Sequence, residues 1–203
     1  MASIAKETGT LVLPPGRTGR IGLVSDTHGM FDPLLPELLK DVAAILHAGD
    51  VGSPEILDQF KKICPILVTV SGNVDTHVPG LEKLPAFAKR SLMGIRILIT
   101  HYTGSSDFLL PPVTAAIKKE KPALVLSGHT HKPLIEEKDG ILYVNPGSCG
   151  PRRFELPRTC GILTVQAPSE AELKASITLV PRINVTLWDL DTRKIHAEYN
   201  NRN

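Results

Sequence analysis

Residues 20–73 read RIGLVSDTHGMFDPLLPELLKDVAAILHAGDVGSPEILDQFKKICPILVTVSGN, in which short apolar, β-branched runs alternate with segments of helical spacing. We expect buried strands at RIGLVSD, AILHAGD and PILVTVSG. Between them we expect helices over 31–44 and 53–64, the second with Ser53 as N-cap and Pro54 at the first helical position. This βαβαβ order implies parallel strands joined by right-handed crossovers.

The remainder of the chain shifts to mostly β-structure near Gly128. The sequence predicts two strands in 87–101 around a Met93-Gly94 turn, a helix in 105–121 around a proline pair, a buried strand in 122–131, a hairpin in 133–148 with Asp139-Gly140 at its turn, and antiparallel strands in 161–166 and 175–200. A parallel half and an antiparallel half each need a buried face. We therefore predict a four-layer α/β fold, in which two mixed β-sheets pack as a sandwich flanked by helices.

Length and composition limit the class of protein. The chain has 203 residues and a net charge of +2, so we expect one domain at 20–203 and no broad nucleic-acid-binding surface. Residues 1–19 lack the apolar core of a signal peptide and are predicted to form an N-terminal arm, in which Leu11–Leu13 add an edge strand. No apolar run approaches the roughly 18 residues that span a bilayer, so no membrane partner is expected. The sequence leaves a homo-oligomer open.

The cysteines indicate a reducing compartment. There are three of them, Cys64, Cys149 and Cys160, at irregular spacing. An odd count without a regular framework favours reduced, buried thiols over disulfides, and this predicts a cytoplasmic protein.

Seven residues with oxygen or imidazole donors follow five of the apolar runs. They are Asp26 and His28 in SDTHG, Asp50 in HAGDV, Asn73 in SGNVD, His101 in ITHY, and His129 and His131 in SGHTH. Because open α/β sheets bind ligands at the carboxyl ends of their strands, the seven are candidate ligands of one two-metal site. Carboxylates and imidazoles favour manganese, iron, zinc or nickel over a metal that prefers thiolates.

Each motif alone also has an ordinary structural interpretation. Asp26 and Asp50 would serve as helix N-caps, His28 as a surface histidine, and Asn73 as a turn residue. His101 would be a satisfied core or loop histidine, and His129 and His131 would be exposed histidines on a turn. In an extended strand Asp26 and His28 would point to opposite faces, so they converge only if the chain turns, which Gly29 allows. His47 is interpreted as structural, and His77 and His196 as loop or surface residues.

Together the motifs resemble those of the calcineurin-like metallophosphoesterase superfamily, whose ordered pattern is D-x-H, G-D, G-N-x-D/E, H and G-H-x-H. The pattern is met over about residues 20–153, and the small size and the VNPGS segment resemble the YfcE-type prokaryotic phosphodiesterase branch. The resemblance implies one metal held by Asp26, His28, Asp50 and His131, and a second held by Asp50, Asn73, His101 and His129.

The implied activity is hydrolysis of a small phosphoester, most directly a phosphodiester, by in-line attack of a hydroxide that bridges two divalent metals. Manganese is the expected metal, with iron, zinc, nickel or cobalt as alternatives. Many relatives carry a histidine after the asparagine that protonates the leaving group, whereas this chain has Val74. Asp75 is expected to orient a ligand, and Arg152 and Arg153 either bind the substrate phosphate or form solvated surface.

Two other functions compete with this one. A scaffold subunit of the retromer coat shares the resembled fold and acts through protein contacts, but here every metal-ligand position is filled. A nucleotide-binding module would carry a G-x-G-x-x-G or G-x-x-x-x-G-K-[ST] motif after the first strand, and none is present.

Overall fold

The computed structural model describes residues 3–5, 10–105, 108–175 and 181–201. Within these residues the strands form two sheets. The seven-stranded sheet has, in spatial order, β1 (Ser3–Ala5), β2 (Thr10–Val12), β6 (Phe87–Leu92), β7 (Ile95–Thr100), β8 (Leu124–Leu126), β10 (Ile141–Asn145) and β9 (Leu134–Lys138). The six-stranded sheet has β13 (Lys194–Asn200), β12 (Arg182–Asp189), β11 (Thr159–Gln166), β3 (Thr18–Val24), β4 (Ala44–His47) and β5 (Leu67–Thr69).

Both sheets are mixed. Strands β3, β4 and β5 run parallel, as the βαβαβ order predicts, and β11 joins β3 antiparallel. In the other sheet β7, β8 and β10 run parallel, while the β6–β7 and β9–β10 hairpins add antiparallel pairs. The described helices are α1 (Leu35–Leu38), α2 (Pro54–Ile63), α3 (Pro111–Glu120) and α4 (Glu170–Lys174), and a short 3-10 helix spans Asp75–His77.

The core lies between the sheets and under the helices. Leu46 of β4 and Ile97 of β7 belong to one buried cluster that fills the space between the two sheets. The neighbouring Ile45 points to the other face of β4 and packs in a second cluster with Phe60 of α2. Burial of such a side chain contributes about 1.5–3 kcal/mol. The predicted α/β sandwich of two mixed sheets is confirmed.

The predicted helix over 31–44 is wrong, because only Leu35–Leu38 are helical. Pro33 and Pro36 lie within four residues of each other, and Pro36 occupies the first turn of α1. A proline is tolerated in the first turn, because its missing N–H would have no helical acceptor there. Further inside a helix it would remove a hydrogen bond, so the helix cannot start earlier. The chain then turns through a bond from Val42 N–H to the Leu39 carbonyl and enters β4.

The predicted helix over 105–121 is also shorter than expected. It begins at Pro111, with the proline pair in its first turn, and residues 106–107 lie outside the described residues. By contrast α2 spans Pro54–Ile63 with Ser53 as N-cap, as predicted, although the Ser53 hydroxyl donates to the Glu55 carboxylate.

The two predicted hairpin turns are confirmed. Met93 and Gly94 have φ of 54° and 82°, and Asp139 and Gly140 have φ of 52° and 72°. Positive φ at both central residues defines the turn type whose twist matches that of antiparallel strands. Of the predicted strand segment 175–200, β12 and β13 pair antiparallel, and residues 176–180 lie outside the described part.

The N-terminal residues contribute to the larger sheet. Strand β2 pairs parallel with β6, β1 adds outside it, and Leu11 is buried. The division into an arm at 1–19 and a domain at 20–203 stays a prediction. The three cysteines are free and buried, as expected. Among the described residues there is no helix of the length and apolarity that a bilayer crossing requires.

Candidate metal centre

The five sequence motifs meet where the parallel strands end. Each candidate ligand follows the last residue of its strand by one to five positions: Asp26 and His28 follow β3, Asp50 follows β4, Asn73 follows β5, His101 follows β7, and His129 and His131 follow β8. Three strands belong to the six-stranded sheet and two to the seven-stranded sheet. The donors therefore converge from both halves of the sandwich.

The backbone at these positions is unusual. Five of the candidate ligands themselves adopt the left-handed conformation: Asp26 (φ 54°), His28 (φ 46°), Asp50 (φ 54°), His129 (φ 68°) and His131 (φ 59°). Such residues persist only where surrounding structure fixes them, and they cluster at functional sites. The Asp26 N–H donates to the Gly49 carbonyl and the His28 N–H to the Asp50 carbonyl, each at 3.0 Å. The turn that brings Asp26 and His28 together is made by the two residues themselves, in addition to Gly29.

One group of donors comprises Asp26, His28 and His131, whose ligand atoms lie within 4.8 Å of one another. His131 Nε2 is 3.4 Å from Asp26 Oδ1 and 3.2 Å from His28 Nε2. Two ring nitrogens that face each other repel unless a proton or a cation lies between them. This group is therefore suited to bind a cation.

A second group is centred on Asp50 and His101. Asp50 Oδ2 lies 3.4 Å from His101 Nε2, and Asn73 Oδ1 lies 3.1 Å from both His101 Nε2 and His129 Nδ1. Asp50 Oδ2 is also 3.7 Å from His28 Nε2, so this carboxylate touches histidines of both groups. Asp26 is within ligand range of Asp50 and His101 as well, so both carboxylates lie at the junction.

The electrostatics favour an anionic Asp50 beside neutral His28 and His129. Burial alone would raise the pKa of Asp50, but the hydrogen bond and charge of His101 outweigh it and hold the pKa at about 2. Burial lowers the pKa of His28 and of His129. Burial also acts to lower the pKa of His101, but the Asp50 carboxylate raises it above the ordinary value. Metal ligands must be deprotonated, and these directions leave Asp50, His28 and His129 in that state.

The two carboxylates are held by hydrogen bonds from a neighbouring residue and from other loops. The Val74 N–H donates to Asp50 Oδ1 at 3.0 Å, the Ser25 hydroxyl donates to Asp26 Oδ2 at 2.7 Å, and the His129 N–H donates to Asp26 Oδ2 at 3.0 Å. A Cβ on Gly128 would lie 1.9 Å from the Ser25 hydroxyl, so glycine is required for this approach.

Asp75 acts on the backbone. Its carboxylate accepts from the N–H groups of Gly72 at 2.8 Å and Gly52 at 3.0 Å. The sequence predicts that Asp75 orients a ligand. In the structure its carboxylate connects the loop before Asn73 to the loop after Asp50 through these two backbone groups. The Val74 backbone is the group that orients Asp50.

His47 links two ligand-bearing loops. Its Nδ1 accepts from the Gly49 N–H at 3.2 Å, so the proton is on Nε2, which donates to Thr27 Oγ1 at 3.0 Å. Thr27 in turn donates to the Val51 carbonyl at 2.9 Å. The residue is fully buried and packs edge-on against Phe60, which agrees with its interpretation as structural. His77 and His196 are exposed, as expected.

Sequence reasoning missed Asn145 as a supporting residue. Asn145 Nδ2 donates to the Gly128 carbonyl at 2.8 Å and to Thr130 Oγ1 at 3.0 Å, which fixes the loop that carries His129 and His131. The only signal was its place in the VNPGS segment. Ser148, in the same segment, donates through its hydroxyl to the Asp26 carbonyl at 2.8 Å.

The two predicted phosphate-binding arginines differ. Arg152 is exposed and pairs with Asp191 at 2.5 Å, a carboxylate that also binds Arg158. Arg153 is exposed. Burial is the main cause of the lowered pKa of His28, and the Asp50 carboxylate opposes it. The positive charge of Arg153 lowers this pKa further. The charge of Arg153 therefore acts on one of the candidate ligands.

The donor set fits divalent cations. It consists of carboxylate oxygens, one amide oxygen and imidazole nitrogens, which suit manganese, iron, zinc, cobalt or nickel. The carboxylate-to-imidazole distances of 3.4–3.7 Å are longer than ordinary charge-assisted hydrogen bonds, so these side chains surround a shared space without closing it. His131 Nδ1 is buried and has no hydrogen-bond partner within the described residues, so its ring is positioned by packing and by Nε2.

Comparison with known proteins gives the family. Residues 20–168 match the calcineurin-like phosphoesterase superfamily domain. Over 170 residues the chain is 34% identical to a probable metallophosphoesterase of Methanocaldococcus jannaschii, which covers 78% of this chain and 82% of that protein. It is 27% identical over 168 residues to a phosphodiesterase of the same organism, covering 76% of this chain and 98% of that one.

Solved structures show the same fold. Vacuolar protein sorting 29 from Cryptosporidium parvum superposes with a TM-score of 0.70 at 20% identity, covering 90% of this chain and 98% of that one. The phosphoesterase YfcE of E. coli superposes with a TM-score of 0.58 at 17% identity, covering 89% and 98%.

The fold and the convergent donors define a two-sheet α/β protein with a candidate metal centre at its strand ends. The chain belongs to the calcineurin-like phosphoesterase superfamily.

Proposed function

We propose that this protein is a metal-dependent phosphoesterase, most directly a phosphodiesterase, that hydrolyses small phosphoesters with two divalent metal ions. One observation carries the proposal: donors from five separate loops converge, and none of the seven positions is replaced by a residue that cannot bind a metal. Membership of the superfamily supports the same reaction class.

The residues would divide between two ions. Asp26, His28 and His131 would hold one, Asn73, His101 and His129 the other, and Asp50 would bind both, as its distances to His28 and His101 allow. When bound, such ions acidify water and neutralise phosphoryl charge, which promotes in-line attack on phosphorus. The chain keeps Asp50 ionised, orients it through the Val74 N–H, and keeps His28 neutral. Arg153 would attract the phosphate from the rim.

Manganese is the proposed metal, and the substrate is a small molecule. We keep a cytoplasmic location in the proposal, because three free, buried thiols are typical of a reducing compartment.

The decisive experiment combines metal analysis with a substrate panel. The purified protein would be analysed for bound metal, then assayed with aryl phosphomonoesters and phosphodiesters under added manganese. We expect two equivalents of divalent metal and faster turnover of diesters. Fewer than two equivalents at saturation would contradict the dinuclear site, and faster turnover of monoesters would contradict the diesterase preference.

A non-catalytic scaffold of the same fold is the second candidate. Its support is the likeness in fold to vacuolar protein sorting 29. The same experiment discriminates the two, because a scaffold shows no metal-stimulated turnover in any arm of the panel.

A further inference from the structure

A pocket adjoins the candidate metal centre on the side of the seven-stranded sheet. We call it the Tyr102–Tyr143 pocket; its lining includes Tyr102, Leu109, Ser127, Thr130, Leu134 and Tyr143. It contains about 540 Å³ of open space, including its mouth.

The pocket is lined by residues that neighbour the candidate ligands in sequence. Tyr102 directly follows His101, and its ring packs against the His129 ring with centroids 4.4 Å apart and an angle of 47° between the planes. Thr130 lies between His129 and His131 in sequence. An organic substituent that extends from a phosphoryl group past the His129 ring would therefore meet Tyr102.

The lining combines aromatic and aliphatic side chains with polar ones, including Glu136 and Lys138. Tyr102 and Leu134 are 41% and 44% exposed, and Tyr143 is half-buried, so apolar faces are available for contact. Contact between a tyrosine ring and an aromatic ligand stabilises a complex beyond the contribution of the buried area alone.

The pocket also offers hydroxyl groups. Thr130 Oγ1 accepts from Asn145 Nδ2 at 3.0 Å and from the Lys132 N–H at 3.3 Å, so its own proton is available to a ligand. Over the described ranges, the hydroxyls of Ser127 and Tyr143 make no hydrogen bond. A ring with polar substituents would satisfy these groups, whereas a short alkyl group would leave them to water.

We propose that the Tyr102–Tyr143 pocket binds an organic group of the phosphoester substrate, and that this group is a planar aromatic or heteroaromatic ring. The proposal rests on the proposed phosphoesterase function and specifies the class of substrate. Tyr102 and Leu134 contact the ring, while the candidate metal ligands hold the phosphoryl group.

The test uses two non-hydrolysable probes with one organic group each. Phenylphosphonate and methylphosphonate are titrated by calorimetry into the manganese-loaded protein, and hydrolysis of an aryl phosphodiester is measured in parallel. We expect phenylphosphonate to bind about tenfold more tightly, as stacking and burial of one ring allow. Tyr102→Ala and Leu134→Ala should each reduce this preference by at least about threefold.

Two further comparisons distinguish loss of pocket contacts from indirect effects of a substitution. Tyr102 contacts the His129 ring, so Tyr102→Ala could displace that ligand, whereas Leu134 lies on β9 and provides a second measure of the pocket at another wall. Phe87→Ala, on β6 and outside the pocket, should keep the full preference. Equal binding of the two phosphonates, or a preference that survives both pocket variants, would overturn the inference while diester turnover still supports the function. If neither phosphonate binds and no ester is hydrolysed, the proposed function fails, and this inference fails with it.

Discussion

The two sheets contribute chemically different halves to the candidate centre. The six-stranded sheet supplies both carboxylates, Asp26 and Asp50, which are 0% and 3% exposed. The seven-stranded sheet supplies three imidazoles, of which His101 and His131 are buried and His129 is exposed. One side therefore carries the negative charge, and the other contributes only imidazoles.

The loops of the two halves are also stabilised differently. On the six-stranded side, backbone bonds from Asp26 to Gly49 and from His28 to Asp50 join neighbouring loops directly. On the seven-stranded side, the loop of His129 is held by the Asn145 side chain and by its own N–H bond to Asp26. We infer that the six-stranded half supplies the negative charge that a cation requires, and that the other half completes the donor set and tunes the affinity.

The largest expected effect comes from Asp50→Ala. Both donor groups lose a charged partner, and the charge stabilisation that metals supply to phosphoryl transfer is several kcal/mol, or roughly 10³-fold or more in turnover. His129→Ala removes a neutral, exposed donor from one group and should cost less. Metal content and diester turnover of both variants give the comparison, with Asp58→Ala, an exposed carboxylate on α2, as control. Equal losses from Asp50→Ala and His129→Ala would contradict the assignment of different roles to the two halves.

The donor residues were predictable because their signal is local. Each of the five motifs follows an apolar run, and α/β sheets bind ligands at the carboxyl ends of their strands, so the ordered set indicated one site. The sandwich followed from the same reasoning, because a parallel half and an antiparallel half each needed a buried face.

The supporting contacts were not predictable, because they join residues far apart in sequence. The left-handed backbone of Asp26 depends on its bond to Gly49, and the role of His47 depends on Thr27, twenty positions away. Helix α4 was missed for another reason. Its capping box, Ser169 with Glu172, is visible in the sequence, but the helix has no buried residue to produce an apolar period.

Val74→His tests the chemistry of the six-stranded half. Val74 contributes its backbone N–H to Asp50, but its side chain cannot protonate a leaving group. General acid catalysis is typically worth ~10²–10⁴-fold, so the unmodified protein should cleave aryl diesters much faster than alkyl diesters. Val74→His should accelerate alkyl diesters on the order of 10²-fold and aryl diesters far less. Val74→Leu keeps the backbone donor without an imidazole and should behave like the parent. Equal rates on the two ester classes in the parent would show that another group supplies the proton.

His47→Leu tests the stability of the six-stranded half against pH. Burial outweighs the attraction of Asp75 and lowers the pKa of His47 from 6.5 to about 4. Because the folded state binds this proton less readily than the unfolded state, His47 contributes stability above pH 6.5, and that contribution is lost as the pH falls toward 4. The shift corresponds to about 3 kcal/mol in the free energy of unfolding.

Urea unfolding between pH 4 and pH 7 measures the effect. His47→Leu should be less stable at pH 7, since the Gly49 N–H loses its acceptor, but its stability should fall less steeply with acid. His77→Leu removes an exposed histidine and should keep the parent slope. A His47→Leu profile parallel to that of the parent would show that other groups cause the acid sensitivity.

Asn145→Ala tests the seven-stranded half and should have the smallest effect. Without the Asn145 amide, the Gly128 carbonyl and Thr130 hydroxyl lose their donor, and the loop of His129 and His131 is less well fixed. Residues that orient metal ligands typically affect metal affinity by roughly 10–100-fold, so we expect weaker manganese binding by about that factor. Calorimetric titration of the metal-free protein provides the measurement, and Asn184→Ala on β12, remote from the centre, is the matched control. Because the carboxylates lie on the other sheet, the variant should regain turnover at high manganese, whereas Asp50→Ala should not. A loss that excess manganese cannot restore would mean that the seven-stranded half takes part in the chemistry beyond holding the metal.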